Sequence, residues 1–350
     1  MEYYSANEYD CSSEDEDVST LDLSYSGFDS EQMRKKLDEL RESGNDVTTV
    51  LLYQNSMDAV PGVIGRFGRL KYLDISSNGL SRLPPEIGLC PLTTLIAKNN
   101  RLSDKSLPPV FTDLTDLKEL NLSGNDFANF PPEILNLKSI RYLYMGGNNL
   151  SKIPKEISKL QSLQVLSLGG NKLTDVPSTL GQLKKLTALI LSDNQLESLP
   201  REIAKLTELK SLLLHKNKLK TLPTEIVSLK CMTELSLRDN PLVVRFVSDM
   251  TYAVPSLLEL AARSIKLHSV KFSPKDLPKR LLEYLNNARH CINPKCKGVF
   301  FDSRVEHVKF VDFCGKYRVP LLQYLCSSSC IDDKNEIEVD SDLIRKVLLG

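Results

Sequence analysis

Four cysteines late in the chain have the residue type and spacing of a metal site. Four residues separate Cys291 from Cys296, three separate Cys326 from Cys330, and the two pairs lie about 30 residues apart. Two close pairs at such a separation suit a tetrahedral zinc site, and Gly298 would ease the turn after the first pair. A structural Zn²⁺ would supply about 10–16 kcal/mol to so small a segment. The alternative is a set of buried, unligated thiols, because both spacings are wider than the familiar two residues.

The other residues that could support catalysis have no partner motif. Cys314 lies in the apolar stretch 311–315, which predicts a core thiol rather than a nucleophile. His290 and His307 have no recognisable motif around them, and His215 has no evident nucleophile or ligand partner. The sequence therefore predicts a protein that is not an enzyme.

Charge and hydropathy exclude several classes of partner. Lys plus Arg and Asp plus Glu each number 45, so no net charge favours nonspecific binding to nucleic acid or anionic membranes. No apolar run approaches the roughly 20 residues that a membrane span needs. The first residues lack the basic and apolar segments of a secretory signal. We therefore expect a cytoplasmic or nuclear protein with reduced cysteines.

A short amphipathic helix is predicted to begin at Ser256, before the cysteines. Its apolar face carries Leu257, Ala261 and Ile265, at i, i+4 and i+8. These residues resemble the BC box of a SOCS box, which reads Ser/Thr-Leu-x-x-x-Cys/Ala/Ser-x-x-x-aliphatic. The resemblance implies binding to elongin C together with elongin B. Leu257 would enter an elongin C pocket, worth about 1.5–3 kcal/mol, and the small Ala261 would permit close helix approach.

A second helix is predicted over 277–285, and it resembles the cullin box that follows a BC box. The cullin 2 form of that motif is aliphatic-Pro-x-x-aliphatic-x-x-x-aliphatic. Its positions here are Leu277, Pro278, Leu281 and Leu285. The cullin 5 form requires an aliphatic residue and a second proline where Lys279 and Arg280 stand, so the motif favours cullin 2 over cullin 5. The alternative is that both helices only cap the open end of the preceding domain.

That preceding domain is framed by asparagines that are mostly 23 residues apart. They are Asn55, Asn78, Asn100, Asn125, Asn148, Asn171, Asn194, Asn217 and Asn240. Each closes the phrase L-x-x-L-x-L-x-x-N-x-L, clearest over 163–173, which is the signature of a leucine-rich repeat. A degenerate first copy has Ser26 in place of the asparagine. We predict an α/β leucine-rich repeat solenoid of about ten repeats with a parallel concave sheet.

Each repeat also has a predicted local chemistry. The asparagine amide is expected to satisfy backbone groups in its loop, and a proline after the phrase is expected to open a short helical turn on the convex side. After the first copy, Ser30 fits the N-cap of a helix. The third and fourth asparagines are 25 residues apart, which predicts a small bulge near 103–106.

Side chains between the repeated leucines face the predicted concave surface, where repeat proteins usually bind. Many of them are apolar or aromatic, as a protein-binding hot spot requires. The predicted substrate-binding residues are Leu51, Tyr53, Tyr72, Ile96, Tyr142, Tyr144, Ile190, Leu213 and His215. The alternative is that large neighbouring side chains merely shield one another.

The predicted organisation has five segments. They are a disordered acidic tail (1–17), the repeat solenoid (18–247), the SOCS-box-like helices (248–288, with the BC box at 256–265 and the cullin box at 277–285), a cysteine-rich zinc module (289–330) and a C-terminal tail without an assigned role (331–350).

Over its whole length the chain resembles leucine-rich repeat proteins that carry a SOCS-box-like region. The resemblance implies a non-catalytic substrate receptor of a cullin–RING ubiquitin ligase. The repeats would hold a protein substrate while the boxes bind elongin B/C and a cullin with its RING subunit. The alternative is a signalling scaffold that binds a small GTPase or a phosphatase, since repeats of the Leu-Pro-x-x-Ile type also occur in such proteins.

Overall fold

The structure, a computed structural model, describes residues 19–40, 46–242, 255–273, 276–293, 295–313 and 317–331, and the side chains among these except in 309–318. It divides into two compact units, with the boundary between Asn148 and Asn149. The predicted acidic tail, Cys314 and residues 332–350 lie outside the described residues. Within the described ranges no helix has the length and apolar character needed to cross a membrane.

Each repeat contributes one short strand at the position of its leucine phrase. The strands are β1 (Ser19–Asp22), β2 (Val47–Leu51), β3 (Tyr72–Asp74), β4 (Thr94–Ile96), β5 (Glu119–Asn121), β6 (Tyr142–Tyr144), β7 (Val165–Ser167), β8 (Ala188–Ile190), β9 (Ser211–Leu213) and β11 (Glu234–Ser236). Within each unit these strands pair in parallel and in chain order. The predicted leucine-rich repeat fold and its parallel strands are confirmed.

Short 3-10 helices connect successive strands, and a proline with an extended backbone precedes each of them. They are Gly62–Arg66, Pro85–Leu89, Pro109–Asp113, Pro132–Asn136, Lys155–Lys159, Ser178–Gln182, Arg201–Lys205 and Thr224–Ser228. The fixed φ of proline suits this N-cap position, and its missing N–H is not needed there. The predicted helical turns are therefore present.

The repeated asparagines join the loops of neighbouring repeats. The Asn125 side chain donates to the carbonyl oxygens of Ala97 and Leu122, both at 3.0 Å, and its Oδ1 accepts from the N–H of Leu102 at 3.0 Å. Asn171 likewise donates to Leu168 O at 2.9 Å. The amides thus satisfy backbone groups that the tight loops leave without a backbone partner.

Replacing Asn125 with alanine is expected to lower the free energy of unfolding by about 2 kcal/mol or more, because buried backbone groups would lose their partners. Urea denaturation of the full chain measures the change. Asn136 is exposed on a 3-10 helix, and Asn136→Ala is the matched control with an expected change below about 0.5 kcal/mol. Equal losses in the two variants would contradict the assigned role.

Helix α1 (Ser30–Leu40) follows the first repeat, but its N-cap is not the predicted residue. Asp29 Oδ1 accepts from the N–H of Gln32 at 2.8 Å, and the Gln32 side chain accepts from the N–H of Asp29 at 3.0 Å. This reciprocal pair is a capping box. The hydroxyl of Ser30 instead donates to Ala59 O at 2.9 Å, so the prediction of Ser30 as N-cap is wrong.

The extra residues in the fourth repeat form a turn that is bonded to the rest of the unit. Ser106 Oγ accepts from the N–H of Ser103 at 2.7 Å. Asp104 Oδ1 accepts from the N–H groups of Ala128 and Asn129, each at 2.9 Å. The insertion thus lies near 103–106, as the spacing predicts, and it is held by its neighbours.

The described residues among 255–331, called the C-terminal module below, contain two α-helices and two antiparallel strand pairs. The elements are α2 (Leu257–Leu267), α3 (Lys279–Asn286), β12 (Arg289–His290), β13 (Val299–Phe300), β14 (Val305–Phe313) and β15 (Tyr317–Leu325). Strands β14 and β15 pair antiparallel, and β15 also pairs in parallel with β10 (Leu222–Pro223) of the ninth repeat. A short 3-10 helix, Ser328–Cys330, follows β15.

One apolar core joins the predicted SOCS-box-like helices to the strands that follow them. It contains Ala262 of α2, Leu285 of α3, Val299 of β13 and Phe301, all nearly inaccessible to solvent. The ring of Tyr284 stacks on that of Phe301 with the centroids 4.7 Å apart. Helices α2 and α3 therefore share one core with β13 and the residue that follows it.

Candidate functional site

The outer side of α2 carries most of the predicted elongin-binding residues. Ser256 is the N-cap, and its hydroxyl oxygen accepts from the N–H of Glu259 at 3.2 Å. Leu257 is 86% exposed, and Ala261 is also exposed. Leu260, one turn from Leu257, is exposed as well. Leu257, Leu260 and Ala261 are called the α2 ridge below, an apolar surface on a helix whose opposite side is anchored.

The fourth predicted elongin-binding residue is placed differently. Ile265 is half-buried and packs against the core that joins α2 to α3. It therefore contributes to holding the helix in place, and only part of its surface is available to a partner.

The predicted cullin-binding residues are divided between surface and core. Pro278 is exposed just before α3, and Leu281 is half-buried. Leu277 packs against the module core, and Leu285 is 3% exposed within it. The accessible part of the motif is thus its first turn, whereas Leu285 holds α3 from inside.

The four predicted metal ligands converge. The Sγ atoms of Cys291, Cys296, Cys326 and Cys330 all lie within 4.8 Å of one another. The distance is 3.5 Å between the sulfurs of Cys296 and Cys326, and 3.6 Å between those of Cys326 and Cys330. Zn–S bonds of about 2.3 Å in a tetrahedron require sulfurs about 3.8 Å apart, so the donor set fits zinc. Among the described residues neither His290 nor His307 belongs to such a group.

Gly298 shapes this site through its backbone. Its N–H donates to Cys296 Sγ at 3.2 Å and lowers the pKa of that thiol. A Cβ at this position would overlap the sulfur of Cys326 and come within 3.0 Å of that of Cys296. Burial raises the pKa of Cys330 to about 11 and raises that of Cys326 as well. These two thiols are therefore neutral at pH 7, and a cation bound among the four sulfurs would favour their ionisation.

Aromatic side chains line the strand face of the first unit. Tyr53 and Tyr25 form an edge-to-face pair with centroids 5.2 Å apart. Burial, together with the charge of Glu119, raises the pKa of Tyr144 to about 12. Ile96 is 9% exposed and adds little surface. The other predicted residues of this face are half-buried, namely Leu51, Tyr72 and Tyr142.

The second unit carries the remaining predicted substrate-binding residues. Ile190, Leu213 and His215 are half-buried on its strands or directly after them. Burial, with the charge of Arg238 next, lowers the pKa of His215. Its Nδ1 has no hydrogen-bond partner within the described part of the chain. Because that nitrogen is itself inaccessible to solvent, it offers no hydrogen bond to a partner molecule in this conformation.

Sequence patterns missed several residues that form these surfaces or hold them in place. Tyr25 follows β1 and belongs to the degenerate first repeat, so no regular phrase marked it. Leu260 lies outside the BC-box motif. Glu259 and Arg263, which form a buried ion pair, could have been found from their i, i+4 spacing of opposite charges.

Comparison with known protein families supports the prediction of leucine-rich repeats. A family model described as "Leucine-rich repeat region" matches residues 131–198, and one described as "Leucine rich repeat" matches 184–242. The model "Leucine-rich repeat and WD repeat-containing protein 1, LRR" matches residues 31–145. These matches fall on the segments that the asparagine spacing predicts as repeats.

Relatives aligned over most of the chain give the family. Leucine-rich repeat-containing protein 58 of Xenopus laevis is 62% identical over 317 residues, which cover 87% of this chain and 90% of the relative. Its Mus musculus counterpart is 63% identical over 315 residues, covering 88% and 86%. The chain belongs to the leucine-rich repeat-containing protein 58 family. Because the last described repeat ends at residue 242, an alignment over 87% of the chain extends into the C-terminal module.

Solved structures of other proteins resemble this family member over 63–65% of its chain. A TDR receptor is 26% identical with a TM-score of 0.50, over 65% of this chain and 44% of that one. The Arabidopsis receptor kinase HAESA, in complex with the peptide hormone IDA and the co-receptor SERK1, is 27% identical with a TM-score of 0.50, over 63% and 40%. InlJ of Listeria monocytogenes, at 19% identity, a TM-score of 0.52 and coverage of 65% and 45%, shares the fold.

Proposed function

We propose that this protein is the substrate-recognition subunit of a cullin–RING ubiquitin ligase. The observation that carries the proposal is the α2 ridge, where an 86% exposed leucine stands on a capped helix whose other side is anchored in a core. A large exposed leucine on a rigid element is an anchor for a partner's pocket. The partner we propose is elongin C with elongin B. The test is capture of elongin B/C by the full chain.

The repeats would supply the substrate site. Half-buried tyrosines on the strand face of the first unit offer rigid contact area at low entropic cost, as a protein substrate requires. HAESA, a structural relative, is known in complex with a peptide hormone, which supports a peptide or protein as the ligand of this surface. The receptor itself would perform no chemistry. It would raise the effective concentration of substrate lysines near the conjugating enzyme that the RING subunit brings.

We propose cullin 2, rather than cullin 5, as the cullin partner. The exposed first turn of α3 is the accessible part of the motif, so Pro278→Glu should disrupt it. Introducing a charge there is expected to weaken capture of cullin 2 by about tenfold or more, while elongin B/C is retained. Co-purification with both proteins measures the two effects separately.

Asn286→Glu, at the exposed other end of α3, is the control. Preferential capture of cullin 5, or equal capture of cullin 2 by both variants, would refute the assignment.

We also propose that the four converging cysteines hold one structural Zn²⁺. Their sulfur distances and the N–H of Gly298 suit a tetrahedral thiolate site. The chemistry that the ion supplies is neutralisation of the thiolates and cross-linking of two distant chain segments. The residues that would hold it are Cys291 and Cys296 before β13, and Cys326 and Cys330 after β15.

The proposed location is the cytoplasm or the nucleus, which free cysteines such as Cys90 and Cys231 favour. A signalling scaffold for a small GTPase or a phosphatase is the alternative function. Such a scaffold would use the same strand faces but would have no need of the α2 ridge. Retention of a repeat-bound partner without elongin B/C would favour it.

A further inference from the structure

A buried ion pair lies where α2 meets the cysteine site. Glu259 is 1% exposed, and its Oε1 accepts from the Arg263 guanidinium, 2.6 Å from Nη2 and 3.1 Å from Nε. Burial opposes ionisation of Glu259, but hydrogen bonds from Arg263 and from the backbone of Ser303 and Phe301 outweigh it and lower its pKa. Both side chains point away from the α2 ridge, into the module.

Arg263 reaches one pair of cysteines. Its Nη1 donates to the carbonyl oxygen of Cys326 at 2.9 Å, and its Nη2 also donates to the carbonyl oxygen of Ser303. Cys326 is one of the four converging thiols. One residue of α2 is therefore bonded to the backbone of a proposed metal ligand.

Glu259 bonds to the segment that follows Cys291 and Cys296. Its Oε1 accepts from the N–H of Phe301 at 3.1 Å and its Oε2 from that of Ser303 at 2.8 Å. Phe301 directly follows β13, which begins one residue after Gly298. The two side chains thus bond to both chain segments that converge at the cysteines.

We infer that Glu259 and Arg263 are positioning residues through which metal loading of the cysteine site sets the orientation of the α2 ridge. The inference rests on the proposed zinc site and on the proposed adaptor binding. A buried ion pair contributes little net stability compared with apolar residues of the same volume, but its directional hydrogen bonds fix one geometry. Groups that hydrogen-bond to metal ligands orient those ligands and tune metal affinity. The same contacts carry the effect of zinc binding to the α2 ridge and the effect of elongin B/C binding to the cysteine site, because coupling between two binding sites is reciprocal.

Because the coupling is reciprocal, the effect of elongin B/C on zinc affinity tests the inference. The zinc affinity of the full chain is measured by equilibrium competition with a chelating dye, with and without saturating elongin B/C. Elongin B/C is expected to raise the zinc affinity of the wild-type chain by about tenfold. In Arg263→Lys and Glu259→Gln the rise should fall below about twofold, although each variant still binds one zinc. Arg304→Lys is the control, because Arg304 pairs with Glu306 in the same module and its described contacts do not reach α2.

A second measurement separates this inference from the adaptor proposal. Hydrogen exchange of residues 257–267 is compared among the zinc-saturated variants in the absence of any adaptor. Exchange in α2 should be faster in Arg263→Lys than in Arg304→Lys, with the β14–β15 amides equally protected in both. If the wild-type chain does not bind elongin B/C, the adaptor proposal fails, and this comparison alone decides the positioning role. Equal α2 exchange overturns the role, as does an undiminished rise in zinc affinity in Arg263→Lys.

Discussion

Replacing Leu257 with alanine is expected to weaken binding of elongin B/C by about 10- to 100-fold. Burying one leucine side chain at an interface is worth about 1.5–3 kcal/mol, and each 1.4 kcal/mol is a factor of about ten in affinity. The free chain should keep its stability within about 0.5 kcal/mol, because Leu257 is 86% exposed and supports no core. Titration of the full chain with elongin B/C measures the affinity, and thermal denaturation checks the fold.

Leu89→Ala is the matched control for Leu257→Ala. Leu89 is also a highly exposed leucine, at 70%, but it lies on a 3-10 helix of the repeats and not on α2. Ile265 is less suitable for truncation, because it packs against the module core and its loss would also destabilise α2. Binding that survives Leu257→Ala unchanged would remove elongin C as the partner of this surface.

The second large effect is expected on removal of zinc. A structural zinc contributes about 10–16 kcal/mol, which is as large as the whole stability of a typical domain, about 5–15 kcal/mol. Cys291→Ser combined with Cys326→Ser, or chelation of the wild-type chain, should therefore unfold the C-terminal module. The repeats should stay folded, since each repeat is stabilised mainly by its immediate neighbours.

Native mass spectrometry and hydrogen exchange test the zinc prediction together. The wild-type chain should carry one zinc, and the double variant should carry none and lose protection in β14 and β15. Cys231→Ser is the control, because Cys231 is an exposed thiol in a repeat. A mass without zinc in the wild-type chain, or an unchanged exchange pattern in the double variant, would contradict the assignment.

The repeats could be predicted because each phrase encodes its own local structure. The leucines of 163–168 predict a strand, and β7 spans Val165–Ser167 within that segment. The Asn171 amide bonds to its loop because the same short-range geometry recurs in every copy. The cysteine spacing predicts convergence, and the four sulfurs do converge.

The C-terminal module was harder to predict because its contacts are distant in sequence. Glu259 bonds to backbone groups 42 and 44 residues away, and no local pattern reports such a pairing. The nine-residue strands β14 and β15 are fixed by each other rather than by a repeated phrase. Motif matching identifies apolar positions without saying which way they face. Leu285 fits a partner-binding pattern and yet lies in a core.

In the ligase proposed above, the pairing of β15 with β10 would have a consequence for ubiquitin transfer. Leu222 and Pro223 of the ninth repeat are in register with Leu321 and Leu322, so backbone hydrogen bonds join the module to this part of the second unit. A strand pair of this kind is a rigid connection, unlike a flexible linker. In a ligase, a protein held on the strands of the second unit would meet the conjugating enzyme at a fixed angle. Which lysines are modified would then depend on the shape of the captured protein more than on its number of lysines.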